Sequence, residues 1–453
     1  MTRSHPLSRR DLFRLAAAGF AAYSSSGWLE RLAAAAANDP QRKRSCILLW
    51  MNGGPSQMDT FDLKPGHANG GPYQAIPTSA EGVRISQHLP RLARQMHHAA
   101  IIRTMRTNEG DHGQGTFLMH TGYPPRGPVQ YPTLGSLVAR EIGSDEAALP
   151  NFVSIAPFRA FSPMAYSSGF LGPQYAPLLV GEANQFGQPN QQMDVAQALR
   201  VPDLLAPPEV NPEHFDSRID LLEQMQSDFA RNHPSIAARS HSTAYNRAVR
   251  LMRTEARTAF NLDEEPAALR DAYGRSLFGQ SCLLARRLVE RGVSFVEVNL
   301  GALPNAPAGW DTHGQNFDQV RRLSEVLDPG FATLLSDLND RSMIGDTTVV
   351  WMGEFGRTPQ IRNNGPGGGG RDHFPNAWST VIAGGGIRGG QAFGRTSPDG
   401  TTVEDPRPVS TRDFLATVCC AMGIDHTRQN MSNAGRPIRI VEQGAMPIRE
   451  VLV

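Results

Sequence analysis

The stretch TTVVWMGEFGRTPQIRNNGPGGGGRDH, Thr347 to His373, carries the most information about the fold and the site. It opens with an apolar, β-branched run that is typical of a buried strand. The run ends in a glycine-flanked turn with Glu354 and Arg357, and a loop rich in proline and glycine leads on to Asp372 and His373. Acidic, basic and imidazole groups after a strand are typical of a ligand site in an open α/β sheet. The alternative is a surface loop made of ordinary turn residues, so the neighbouring segments have to decide.

Length and charge limit what the chain can be. It has 453 residues and a formal net charge of +1, which allows two or three average domains or one large α/β domain with insertions. The nearly balanced charge gives no electrostatic reason to expect a nucleic-acid partner. The four cysteines form no C-x-x-C pair, so buried thiols are predicted rather than a disulfide framework. No apolar run is long enough to span a bilayer, and no transmembrane segment is predicted.

The N-terminal segment has the layout of an export signal. Arg9 and Arg10 precede a modestly apolar run from Leu15 to Tyr23, and small residues from Ala33 to Ala37 offer an A-x-A type of cleavage site. This order is typical of a twin-arginine signal. We therefore predict that residues 1–37 are cleaved, that the twin-arginine translocase is a partner during export, and that the mature protein is periplasmic or otherwise extracytoplasmic. The alternative is an amphipathic helix, rich in arginine and alanine, that belongs to the domain.

Strands and helices alternate along the mature chain, 38–453. Apolar runs predict strands, and helical spacing predicts helices, over the following ranges: strands Ser45–Met51, Ala99–Arg103, Val293–Leu300, Thr347–Val350 and Ser379–Ala383; helices Leu89–His97, Arg270–Arg291, Gln319–Leu338 and Thr411–Met422. The segment Gly127–Pro212 has little periodicity and is predicted to form surface loops, and residues 213–262 are predicted to form a helical insertion. The alternation predicts one α/β domain with a mostly parallel sheet sandwiched between helices.

Most of the polar clusters follow directly after a predicted strand. They are Asn52 with Ser56, Asp111 with His112, Asp311 with His313, Glu354 with Arg357, and Asp372 with His373. Carboxylate and imidazole ligands together suit zinc, manganese or iron, whereas carboxylate and amide oxygens suit calcium or magnesium. Asp311 and His313 can point the same way from an extended segment and hold one ion. For any single histidine the alternative is a hydrogen-bonded structural residue.

Several familiar motifs fail. A G-x-G-x-x-G match at Gly384, Gly386 and Gly389 is not followed by a predicted helix, so it does not indicate a dinucleotide site. The glycine-rich run before Arg371 lacks the Lys-Ser/Thr of a P-loop, and neither G-x-S-x-G nor H-E-x-x-H occurs. We therefore expect no nucleotide cofactor.

The order of the surviving motifs resembles the alkaline-phosphatase-like superfamily, and most closely its sulfatase-like branch called domain of unknown function 1501. The matching segments cover nearly the whole mature chain: LLWMNGGPS, LPRLARQMHHAAIIR, HGQGTFLMHTGYPP, GWDTHGQNF, VVWMGEFGRT, GRDHF and VSTRDFLATVCCAMGI. This resemblance implies an alkaline-phosphatase-like α/β fold and one or more divalent metal ions, with zinc, calcium, magnesium and manganese as the candidates. It implies metal ligands at Asp311, His313, Glu354, His373 and Asn52.

The sequence departs from the enzymes of that superfamily at three positions. The nucleophile's position falls on His112, Asn52 replaces a metal-binding aspartate, and Phe355 replaces a ligand histidine. Because no Ser, Thr or Cys stands at the nucleophile's position, the covalent phospho- or sulfo-enzyme of the family cannot form there. Three explanations stay open: Ser56 or a metal-bound water attacks, the site binds a metal or an anion without chemistry, or the site has decayed.

The resemblance and these departures lead to one function and one alternative. The first is an exported, metal-binding enzyme that hydrolyses a phosphate, sulfate or related anionic ester of a small molecule or a polysaccharide. In that function His112 is a further ligand or an acid/base, Ser56 is a candidate nucleophile, and the planar guanidinium of Arg357 neutralises the oxyanion. The alternative is a noncatalytic periplasmic or envelope protein that binds a polysaccharide or a protein partner.

Overall fold

The computed structural model describes residues 44–181, 194–201, 204, 211–233, 236–253, 255–362 and 369–453. The predicted export signal and most of the glycine-rich run before Arg371 lie outside these residues. The described residues form one compact unit. None of the helices in the described ranges is both long enough and apolar enough to cross a bilayer.

In the described part of the chain, an eight-stranded sheet forms the centre of the fold. Its strands are β1 Ser45–Met51, β2 Ala99–Met105, β3 Phe152–Ile155, β4 Leu178–Val180, β5 Phe295–Leu300, β6 Thr347–Met352, β7 Trp378–Gly384 and β8 Gln391–Phe393. They lie in the order β8-β2-β7-β6-β1-β5-β3-β4. Of these strands only β7 is antiparallel to its neighbours, β6 and β2. The predicted mostly parallel α/β sheet is therefore confirmed.

Helices cover both faces of the sheet. They are α1 Pro90–Ala93, α2 His112–Thr121, α3 Leu134–Glu141, α4 Val195–Ala198, α5 Pro212–Asn232, α6 Ile236–Arg253, α7 Ala267–Tyr273, α8 Leu277–Glu290, α9 Asn316–Asp340 and α10 Thr411–Ala421. Alternate residues of β1 pack into two cores: Ile47 and Leu49 into one shared with α8 and α9, and Leu48 and Trp50 into one shared with α3 and α10. Because strand side chains alternate between faces, a continuous apolar run is what a strand covered on both sides requires.

Three of the predicted elements are wrong in part. The segment Gly127–Pro212, predicted as loops, contains α3, β3 and β4. Its two strands are only four and three residues long, too short to show a period, and pairing with β5 and with each other defines them. The helix predicted over Arg270–Arg291 is divided at Gly274, which has a φ of +85°. Within Leu89–His97 the structure has the short helix α1 and the start of a 3-10 helix, Met96–His98, instead of one continuous helix.

The sheet brings distant segments to one edge. Parallel strands end at the same edge, so the segments after β1, β5 and β6 meet there. They carry Asn52, Asp311 and Glu354 respectively, and α2 begins at the same edge with His112. A two-residue antiparallel pairing of Gly356–Arg357 with His373–Phe374 returns His373 to this group. The stretch from Thr347 to His373 therefore contributes to the site twice, with Glu354 and with His373.

Candidate metal centre

Three imidazoles surround one carboxylate oxygen at this edge. The Nε2 atoms of His112, His313 and His373 lie 3.3, 3.1 and 3.4 Å from Oδ1 of Asp311. The Nε2 atoms of His313 and His373 are 3.1 Å apart, and ligand atoms of His112, Asp311 and His373 all lie within 4.8 Å of one another. Ligand atoms bound to a tetrahedral zinc ion are roughly 3.3 Å apart. The spacings of His112, Asp311 and His373 therefore fit a metal ion, and these three residues together with His313 are called the His–Asp cluster below.

Each imidazole of the His–Asp cluster is held by its other nitrogen. Nδ1 of His112 contacts Oε1 of Glu354 at 2.7 Å, Nδ1 of His313 contacts Oδ1 of Asp372 at 2.7 Å, and Nδ1 of His373 lies 2.7 Å from the Gly110 carbonyl oxygen. An Nδ1–H that donates to such an oxygen leaves the Nε2 lone pair free for a metal. Nε2 of His112 is buried and faces Oδ1 of Asp311 at 3.3 Å, with no other polar atom of the described residues bonded to it, so it suits a metal ligand.

The charges of the cluster shift its pKa values in opposite directions. Burial lowers the pKa of His112, but hydrogen bonds and charge from Asp311 and Glu354 raise it to about 9. Burial raises the pKa of Asp311, yet the hydrogen bonds from His112 and His373 and the charge of Arg357 hold it well below its usual range. Asp311 is thus a carboxylate at every ordinary pH, which is the form that binds a cation.

The backbone positions Asp311 through a close approach to the end of β1. The Trp310 N–H donates to the Asn52 carbonyl at 3.1 Å. Gly53, with a φ of +109°, passes so near that a Cβ there would lie 2.4 Å from the Asp311 nitrogen. Only glycine combines this conformation with this approach.

Arg357 lies in the interior rather than at the mouth of the site. Its side chain is 0% exposed, and its guanidinium donates to the carbonyls of Gly53, Gly54 and Arg371 and to Oδ1 of Asp311. Burial lowers the pKa of Arg357, and Asp311 opposes that shift. The expected role, neutralising a substrate oxyanion, does not suit a cation enclosed in this way. Arg357 instead holds Asp311 in place.

Glu354 lies behind the cluster. It is fully buried, and its Oε1 accepts hydrogen bonds from the Gly53 N–H at 2.9 Å and from His112 at 2.7 Å. A carboxylate that binds the far nitrogen of a metal-binding histidine orients that ring. We expected Glu354 to be a ligand, and the geometry gives it this orienting position.

Asn52 and Ser56 are not brought into the His–Asp cluster. The Asn52 side chain accepts from Trp50 Nε1 at 2.9 Å and donates to Asn299 at 3.2 Å, so both of its polar atoms are used in the core. The Ser56 hydroxyl donates to Asp59 at 2.5 Å. Neither side chain is placed as the ligand or the nucleophile that we expected.

Asp59 is the centre of a buried network that joins two loops of the site. It accepts from Arg371 at 2.8 and 3.2 Å and from Asn316 at 2.8 Å. Those two residues lie beside the segments that carry His373 and His313, and Arg371 also donates its N–H to the Thr312 carbonyl at 3.0 Å. The network therefore fixes how the two loops meet.

Two functional neighbours were missed in the sequence. Asp372 was noted beside His373 but given no role, although its place between an arginine and a histidine was a signal. Phe161 stacks on the ring of His112, with 4.4 Å between centroids and 8° between planes. It belongs to the segment predicted as loops, and nothing in its sequence context pointed to the site.

The fold and the site together define an α/β protein with a candidate metal centre at the carboxyl edge of its sheet. The family model described as "Protein of unknown function (DUF1501)" matches residues 43–452, and the chain belongs to that family. The predicted family is therefore confirmed. No curated protein matches the chain.

Several solved structures are similar to the chain at low identity. A protein in the alkaline phosphatase superfamily from Vibrio parahaemolyticus is 11% identical, with 85% of this chain and 67% of that chain covered and a TM-score of 0.40. The PsFucS1 sulfatase from Pseudoalteromonas sp. is 11% identical, with coverages of 87% and 70% and a TM-score of 0.37. The lipoteichoic acid synthase LtaP from Listeria monocytogenes is 8% identical, with coverages of 90% and 76% and a TM-score of 0.39. The family assignment rests on the family model.

Proposed function

We propose that the protein is a metal-dependent hydrolase of anionic esters, in which His112, Asp311 and His373 hold one divalent ion. The observation that carries this proposal is the convergence of three Nε2 atoms on Asp311 while an oxygen holds each Nδ1. Two imidazoles and a carboxylate suit zinc or manganese better than calcium or magnesium, which prefer oxygen ligands. Three protein ligands and one open position are the arrangement of catalytic zinc sites.

The residues around the open position have separate tasks. A divalent ion held there would lower the pKa of water and polarise an ester oxygen. His313 is 46% exposed on the solvent side of the cluster, and Asp372 holds its Nδ1. In our proposal His313 gives a proton to the leaving-group oxygen, and Asp372 stabilises the imidazolium that donates it. Glu354 orients His112, and Arg357 holds Asp311.

Water is the attacking group in this proposal. Within the described residues, no hydroxyl or thiol side chain is hydrogen-bonded to the His–Asp cluster, and Ser56 donates to Asp59 instead. The ester would be cleaved in one displacement, because no hydroxyl or thiol group of the described residues is placed to form a covalent intermediate.

Metal analysis and two variants test the proposal. We expect about one equivalent of divalent metal in the purified protein and turnover of an aryl phosphate or an aryl sulfate. Asp311→Ala should lose the metal and keep its fold, whereas His313→Ala should keep the metal and lose most of the turnover. Normal metal binding by Asp311→Ala would show that the site is wrong. If the purified protein has no stoichiometric metal and turns over neither ester, it is not the proposed enzyme.

A second candidate function is binding without turnover, by a noncatalytic envelope protein. One observation favours it: Phe355, which stands where the resemblance implies a ligand histidine, has its ring 5.1 Å from that of His112 and 4.7 Å from that of His373, between centroids, and offers a metal no ligand atom. A metal-loaded protein that binds a sulfated polysaccharide and leaves every tested ester intact would support this function over the first.

We also propose that the protein is exported by the twin-arginine route. Changing Arg9 and Arg10 together to lysine should leave the protein in the cytoplasm, because the translocase recognises the arginine pair. N-terminal sequencing of the exported wild type should begin near Asn38. Cytoplasmic wild-type protein with an intact N-terminus would contradict export.

A further inference from the structure

The site needs a cation that can reach an anionic substrate, and Arg357 is not available for that task. It is fully buried, and its bonds to Asp311 and to three backbone carbonyls use most of its donors. A guanidinium in this position compensates the charge of Asp311. It cannot also form the bidentate contact by which arginine recognises sulfate or phosphate.

Arg362 is an exposed cation beside the His–Asp cluster. Its side chain is 52% exposed, and its Nη1 donates to both oxygens of Asp372 at 2.7 Å. Its backbone is fixed too, because its N–H and carbonyl are paired with Gly370 at 2.9 Å in both directions. Among the described residues, Nε and Nη2 have no hydrogen-bond partner. The guanidinium is therefore held by one nitrogen, with donors left over.

Asp372 connects this guanidinium to the cluster. The same carboxylate accepts from Nδ1 of His313 at 2.7 Å. Asp372 is 2.7 Å from Nη1 of Arg362 and 2.7 Å from Nδ1 of His313. With the width of the imidazole ring added, Nη1 of Arg362 lies on the order of 7 Å from the Nε2 atom of His313 that faces Asp311. That separation is close to the longest that one sulfate or phosphate group can bridge, since two oxygens about 2.5 Å apart with a hydrogen bond of about 2.8 Å at each end span roughly 8 Å. It suits two anionic groups on neighbouring positions of one molecule.

The net charge of the site also favours such a ligand. With a divalent ion in place, and with the proton that His313 donates left out of the sum, the three carboxylates Asp311, Glu354 and Asp372 face the guanidiniums of Arg357 and Arg362 and the ion. One positive charge is left in excess, which attracts anions to the mouth of the site.

We propose that Arg362 recognises a second negative charge on the substrate, so that the substrate class is an ester within a polyanionic chain rather than an isolated monoester. This inference rests on the proposed function. The reacting ester lies at the His–Asp cluster, and a neighbouring sulfate, phosphate or carboxylate lies against Nε and Nη2 of Arg362. Arg362 is a specificity-determining residue in this arrangement and takes no part in bond cleavage.

Binding measurements on the zinc-loaded full chain test the inference without turnover. The probes are inorganic phosphate and disaccharides with one or two sulfonate groups, or with two phosphonate groups, in which carbon replaces the ester oxygen. We expect wild type to bind a two-anion probe about tenfold more tightly than the one-anion probe. Arg362→Gln should abolish that preference and leave zinc content and phosphate affinity unchanged, while Arg362→Lys should keep part of it. A preference for the disulfonate or for the diphosphonate probe shows whether the neighbouring group is a sulfate or a phosphate.

Arg388→Gln is the matched control, because Arg388 is an exposed arginine in the loop between β7 and β8. It lies after the end of antiparallel β7, at the opposite edge of the sheet, and its variant should keep the full preference. Equal affinity of wild type for one- and two-anion probes, or a preference that survives in Arg362→Gln, would overturn the inference. Phosphate binding that does not depend on zinc would instead contradict the proposed function. The comparison between one-anion and two-anion probes would still test the role of Arg362.

Discussion

In our proposal Glu354 acts through its neighbour His112. It is fully buried, and one of its oxygens receives both the Gly53 N–H and the His112 ring. Orienting carboxylates of this kind contribute to metal affinity because they fix both the tautomer and the plane of the ligand ring. Its contribution can therefore be measured as metal affinity, separately from stability.

We predict that Glu354→Gln weakens zinc binding about 10- to 100-fold, since an amide holds the His112 ring less firmly than a carboxylate. The dissociation constant, measured by competition with a chelator, checks the prediction. Glu404→Gln is the control, because Glu404 is exposed and pairs only with exposed Arg395. Equal affinity in wild type and Glu354→Gln would contradict the orienting role.

The protonation of the His112 ring sets how the metal affinity is expected to depend on pH. Its pKa of about 9 means that, in the metal-free protein, the ring carries a proton at neutral pH. The metal binds the neutral ring, so binding releases this proton, and affinity should rise about tenfold per pH unit until the pH passes that pKa. Zinc affinities between about pH 7 and 10 check the slope and its break. In Glu354→Gln the break should move to lower pH, and a wild-type affinity independent of pH would contradict the assignment.

At the scale of elements, the two loops that carry His313 and His373 are in direct backbone contact. The Asn316 N–H donates to the Gly369 carbonyl at 3.0 Å, and a Cβ on Gly370 would lie 1.7 Å from the His313 carbonyl oxygen. Glycine at position 370 is what allows the loops to meet this closely. The buried pair of Asp59 and Arg371 then holds them together.

We predict that Gly370→Ala destabilises the protein by about 1–3 kcal/mol, because a methyl group at this contact forces the backbones apart. Metal affinity should fall with it, since His313 and His373 move. Denaturant unfolding and zinc titration give the two readouts. Gly314→Ala is a control in the same region, because a Cβ there meets no atom within 4 Å. If both variants behave like wild type, the loops are not held as described.

At the scale of the whole molecule, a metal at the His–Asp cluster joins segments that are far apart in the sequence. His112 begins α2, Asp311 follows β5, and His373 pairs with the segment after β6. An ion bound to all three is bound only by the folded chain, so its binding energy adds to stability.

We predict that saturating zinc stabilises the protein by about 2.7 kcal/mol at 100 times its dissociation constant. Thermal unfolding with and without a chelator should differ by a few degrees, given the size of the chain. Asp311→Ala should show no such difference. If wild-type protein binds zinc but its thermal unfolding midpoint is the same with and without zinc, the site does not join the three segments.

The sequence by itself determined the class of fold. Continuous apolar runs of strand length, such as Ser45–Met51, can be buried on both faces only in a sheet covered by helices, and β1 does pack into two cores. It also brought Asp311, His313 and His373 forward as candidates, because residues after parallel strands meet at one edge. These predictions depend on patterns among residues that are close together in the sequence, so they can be made without the structure.

The partners of each polar residue became clear only in the folded structure. Asn52, Ser56 and Arg357 follow strands just as Asp311 does, but their partners are Trp50, Asp59 and the buried side of Asp311. The short strands β3 and β4 and the stacking of Phe161 likewise depend on neighbours distant in the chain. Burial and hydrogen-bond partners are properties of the packed chain, so a position after a strand shows where a side chain lies but not whether it faces a ligand or the core.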